Sequence, residues 1–120
     1  MRAKQFLTSV KDSNDQIGKL IRLQGILSGM PASKRLQEHQ KQTKALEAQI
    51  HQAYEINRMT RRRVQNFIDR LPDAEERQIL KLLYLSLMRM EDAARVMGYC
   101  PRQCYRIQQR ALMHLEGMRF

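Results

Sequence analysis

Four consecutive residues, Gly98-Tyr99-Cys100-Pro101, constrain this chain more tightly than any other stretch. Gly98 takes positive φ without a Cβ penalty, which suits the residue just past a helix end. Pro101 suits the first position of a new helix, where its missing N–H leaves no hydrogen bond unmade. Before the turn, Met90, Ala93, Ala94 and Met97 recur at spacings of three and four and form one apolar face. After it, Cys104, Ile107, Ala111 and Leu115 do the same. The pattern predicts two helices joined by a tight turn, a helix-turn-helix, over residues 88–116. Its second helix turns Arg102, Gln103, Tyr105, Arg106, Gln109 and Arg110 outward, with no acid before Glu116. Such a unit offers the N-terminal part of its second helix to the DNA major groove. Arg102, Gln103, Tyr105 and Arg106 are therefore the candidate base readers. Arg110, Gln109 and Arg95 are the candidate contacts to the phosphate backbone.

Upstream residues supply what this unit packs on. Leu71-Pro72 ends a helix, because the residue before proline avoids the α region. Asp73 and Glu76 have the spacing of a capping box and predict a helix from Ala74 to about Leu87. Its leucines nearly encircle it, which places it in the middle of a small three-helix bundle. Further back, Ala3, Phe6, Val10, Ser13, Ile17, Leu20, Gln24 and Leu27 follow a heptad. A second heptad runs Leu36, His39, Thr43, Leu46, Ile50, Ala53, Asn57, Thr60, Val64, Phe67. Together they read as a long, coiled-coil-like hairpin closed by a Gly29-Met30-Pro31-Ala32 turn, with Ser33 as the next cap. Polar seam positions leave a thin core, so a homodimer or docking on another protein is expected to cover it. Ile56, Met59 and Ile68 lie off the seam and are available for such a contact. The expected fold is all-α: a helical hairpin arm over 1–70 and a helix-turn-helix DNA-binding domain over 71–120.

Charge points the same way. The chain has 22 basic and 12 acidic residues, a formal charge of +10, and is attracted to polyanions. Residues 73–97 carry four bases and five acids, whereas 98–120 carry four bases and one acid. Arg61-Arg62-Arg63 fans across more than half a helical turn, so the three cannot share one surface. That run reads as a solvated face, with one or two arginines reaching a DNA backbone as the alternative. No stretch has the apolar length of a membrane span and the first residues lack a signal-peptide core, so a cytoplasmic location is expected. In that reducing setting Cys100 and Cys104 are not expected to pair. Their i,i+4 spacing is compatible with one shared face, but a structural zinc site needs four ligands and the histidines are His39, His51 and His114. No metal or other cofactor is expected. With no Gly-rich phosphate loop, nucleophile elbow or carboxylate cluster, an enzyme is not expected either.

Three segments carry a family resemblance. ILKLLYLSL (79–87), MEDAARVMG (90–98) and YCPRQCYRIQQRAL (99–112) resemble the promoter-contacting fourth region of bacterial primary sigma factors. MRAKQFL (1–7) and GYCPRQ (98–103) resemble the opening and the Gly-Tyr-Ser-x-Arg-Gln turn of phage-encoded late transcription regulators of the RinA and ArpU kind. The resemblance implies a sequence-specific DNA-binding regulator of phage or prophage type, an activator acting near RNA polymerase in a bacterial host cell. Its partners would be double-stranded DNA and RNA polymerase. Two residues depart from the sigma pattern: Arg89 stands where a Thr or Ser cap is usual, and Cys100-Pro101 replaces a Ser-basic pair. Two other readings stay open. One is a sigma-like module that binds polymerase or a sigma factor without reading DNA. The other is a nonspecific nucleic-acid-binding assembly protein.

Overall fold

A computed structural model describes residues 2–29 and 36–118. The described chain is all-helical and forms two compact units. One comprises residues 12–59, and the other joins residues 2–11 to 60–118. Two long helices run through both, α1 (Arg2–Ser28) and α2 (Leu36–Ile68). Their 27 and 33 residues correspond to about 40 and about 50 Å.

Within the 12–59 unit the two helices pair as a hairpin, as the heptads predict. Ile17 and Leu20 of α1 are buried with Leu46 and Ala53 of α2, and Leu27 and Ile50 pack against them. The core is thin, and the Ser13 hydroxyl is buried in it without a partner among the described residues. Met30, Pro31, Ala32 and Ser33, expected to make the turn and cap, lie outside the described residues, as do the side chains of Leu36 and His39.

The second unit has the larger core, and it reaches well beyond residue 71. Ala3, Leu7 and Val10 of α1 are fully buried in it, together with Val64, Phe67 and Ile68 of α2. Phe6 meets Phe67 edge to face, with ring centroids 5.4 Å apart. Ile68, read from the sequence as free for a second contact, is fully buried here, whereas Ile56 and Met59 of the other unit are about half exposed. Glu116 accepts hydrogen bonds from the first backbone N–H groups of α1, Arg2 at 3.2 Å and Ala3 at 2.9 Å. A carboxylate there satisfies orphan donors and complements the helix dipole.

Asp73 caps α3 (Ala74–Leu80) as expected, accepting from the N–H groups of Glu75 at 2.8 Å and Glu76 at 3.3 Å. The capping box is only half made, because the Glu76 side chain turns inward. The predicted continuation to Leu87 also changes character. Lys81–Leu85 is a π-helical turn, closed by the Ser86 N–H on the Lys81 carbonyl at 3.0 Å. Leu87 then takes φ 55°, a left-handed conformation costly for a bulky residue, and Met88 N–H bonds the Leu82 carbonyl at 3.0 Å. The π turn buries Tyr84 and leaves Leu82, Leu83, Leu85 and Leu87 half-buried at the core's edge. Arg61 secures the turn from α2 by donating to the Leu85 carbonyl at 2.6 Å.

Helix α4 (Met90–Met97) ends as predicted, with Gly98 at φ 76° and ψ 22°. The Tyr99 N–H reaches back to the Ala94 carbonyl at 3.0 Å, the closing bond of such a helix end. Helix α5 (Pro101–Glu116) follows at once, with Pro101 in its first position. Among the described residues no helix is long and apolar enough to cross a membrane.

Candidate nucleic-acid interface

The orientation of α5 is fixed by its buried side. Cys104, Ile107, Ala111, Leu112 and Leu115 are all buried, so the residues between them must face out. Arg102, Gln103, Tyr105 and Arg106 are exposed, and Gln109 is half-buried. The central stripe runs Arg102, Arg106, Gln109, Met113 at spacings of four, three and four. Gln103 and Tyr105 lie on opposite flanks of it. Among the described residues none takes a hydrogen bond or an ion pair from Arg102, Gln103, Tyr105 or Arg106. The start of α5 is equally open. Its cap residue, Cys100, makes no side-chain bond, and Arg102 and Gln103 N–H find no acceptor among the described residues. Unsatisfied N–H groups at a helix start are suited to an anion such as phosphate.

The other candidates are placed differently. Arg110 lies on the flank of α5 that meets α3, with Nε 2.9 Å from Glu76 and a terminal nitrogen 3.5 Å from Asp73. His114, one turn on, places Nδ1 2.9 Å from the same Glu76 carboxylate. Glu76 is 1% exposed, so this is a buried acid held by two partners from one neighbouring helix. Next to it the Tyr99 phenol donates to Glu75, and that bond pushes its pKa above the ordinary tyrosine value. Arg95 projects from the last turn of α4 and is 80% exposed, with Asp92 at 3.5 Å. An ion pair that open contributes little and competes weakly with a phosphate. Arg89, in the cap position of α4, makes no capping bond and reaches Asp92 at 3.4 Å.

The cysteines separate. Cys100 is exposed at the turn, whereas Cys104 is fully buried and burial pushes its thiol pKa up. Burial likewise raises the Tyr84 phenol, whose oxygen accepts from the Gln108 amide at 2.9 Å. Of the arginine run, Arg61 is committed to Leu85, while Arg62 and Arg63 are exposed.

Sequence reasoning missed two residues here. Met113, 66% exposed, extends the stripe of Arg106 and Gln109, and a count of seven from Arg106 would have found it. Glu76 gives no such local signal. No family model, curated protein or solved structure matches the chain.

Proposed function

We propose that this chain is a sequence-specific, double-stranded-DNA-binding transcription regulator in which α5 enters the major groove. One observation carries the reading: the division of labour among arginines. Arg61, Arg77 and Arg110 are committed within the fold, to the Leu85 carbonyl, the Leu71 carbonyl and Glu76. Arg102 and Arg106 stand on one exposed stripe with no such commitment. Arginines left free at the start of a helix that follows a tight turn suit bidentate contacts to guanine. Gln103 suits adenine, and Tyr105 offers an apolar ring with a hydroxyl. Arg95, Gln109 and the open N–H groups of Arg102 and Gln103 suit phosphates. Arg110 would meet DNA only in competition with Glu76, so its first role is to hold α5 on α3. The family resemblance supports a phage or prophage activator working beside RNA polymerase in the bacterial cytoplasm. Contact with the polymerase is a second reading, favoured by exposed Val96 on α4.

Competition binding tests the proposal. With a site selected from random DNA, Arg102→Ala and Arg106→Ala should each lose about 1–3 kcal/mol on that site. Losses on bulk DNA should be smaller. Equal losses on both would make these arginines phosphate contacts, and no selectable site would leave a nonspecific binder.

A further inference from the structure

The hairpin of residues 12–59 has a face that its own core does not use. On α2, Gln42, Ala45, Gln49, Gln52 and Ile56 recur at spacings of three and four, beside the seam that meets α1. Leu20, Leu23 and Ile26 of α1 border them, and two shallow grooves run end to end along the pair, meeting at Gln49. Leu23, Ile26 and Ile56 are 50%, 60% and 51% exposed. None of the residues lining either groove is charged, although 28% of the chain is. A helix with a second uncharged stripe beside its apolar one can touch two neighbours, as in a four-helix bundle.

We infer that this face binds a second copy of itself, forming a four-helix bundle from two hairpins. Three properties select that occupant. First, the stripe is neutral, so it offers nothing to a nucleic acid or an acidic protein. Its glutamine amides each both donate and accept, which suits a two-fold interface where every residue meets its own kind. Second, residues 12–59 hold seven bases and five acids, whereas the rest of the chain holds fifteen and seven. Two copies of so basic a chain approach with least repulsion through this segment. Third, the area reaches the minimum. A strip about 25 Å long and two helices wide covers about 500 Å² per copy, or about 1,000 Å² in all, the lower bound for a biological interface.

The inference is independent of whether α5 reads DNA, and its test contains none. Sedimentation equilibrium of the full chain from about 1 to about 100 μM should give twice the 14.2 kDa chain mass. Ile26→Glu combined with Ile56→Glu should raise the dissociation constant about 100-fold or more, because each would bury an unpaired charge in the dimer. Both positions are exposed in the single hairpin, so helical circular dichroism should be unchanged. Gln49→Lys, at the meeting point of the grooves, should act in the same direction and keeps helix preference nearly constant. Ile21→Glu with Tyr54→Glu, at exposed positions outside the grooves, should leave the dimer intact. A wild type that stays at 14.2 kDa throughout overturns the inference. So does a dimer unmoved by the groove variants, or one lost equally in the Ile21 and Tyr54 control.

Discussion

Glu76 shows how much one side chain does here without touching any ligand. Its carboxylate is buried, and isolation there would cost several kcal/mol. Arg110 Nε at 2.9 Å and His114 Nδ1 at 2.9 Å satisfy it and in doing so bind α5 to α3. Glu76→Ala should destabilise the protein by about 1.5–3 kcal/mol, the range for hydrogen bonds to charged groups. It should fall short of the roughly 3–5 kcal/mol of a fully buried pair, because the Arg110 and His114 side chains are 50% and 54% exposed and can turn to water. Urea denaturation measures the difference, and a neutral result would remove the cluster as the tie between the helices. The sequence made Glu76 legible only as the second half of a capping box, since Asp73 lies three residues away. Its actual partners lie 34 and 38 residues later, and no local pattern reports them.

At the level of elements, the turn between α4 and α5 was the most legible part of the chain. Gly98 and Pro101 act through their own backbone chemistry, which needs no knowledge of the tertiary fold. A Cβ built at Gly98 meets nothing within 4 Å, so the penalty is conformational rather than steric. Gly98→Ala should therefore cost about 1–2 kcal/mol, the left-handed penalty for a residue with a Cβ, and Gly98→Asn less. Thermal melts of the two variants would show the order. Equal stability of glycine and alanine would mean that φ at 98 does not hold the turn. The leucine-rich element was less legible. ILKLLYLSL is apolar on all sides, so its periodicity could not say where the α-helix gives way to the π turn or that Leu87 would adopt positive φ. The outward placement of Arg102, Gln103, Tyr105 and Arg106 was legible, because the buried set of Cys104, Ile107, Ala111 and Leu115 fixes the opposite face.

The two units of the molecule divide elsewhere than at residue 71. Proline at 72 marks the end of α2 correctly, yet the core around α3, α4 and α5 includes Ala3, Leu7, Val10, Val64, Phe67 and Ile68. These were legible as heptad positions, except Leu7 and Ile68, but not as part of that core, because a heptad says that a face is buried and not against what. A fragment of residues 72–120 loses one wall of its core, at a size already marginal for independent folding. It should show reduced helicity and no cooperative thermal transition by circular dichroism. A sharp native-like transition would restore a self-sufficient domain beginning near residue 71. The bonds from Arg2 and Ala3 N–H to Glu116 span 114 and 113 positions, nearly the full sequence. During synthesis at about 5–20 residues per second, Ala3 and Leu7 are made some 5–20 seconds before Glu116 exists to hold that first turn. For that interval the growing chain carries the apolar face of α1 with no finished core to join, which exposes it to chaperones and proteases. A ribosome that stops short of residue 116 therefore releases a chain missing this clasp, on which quality control can act.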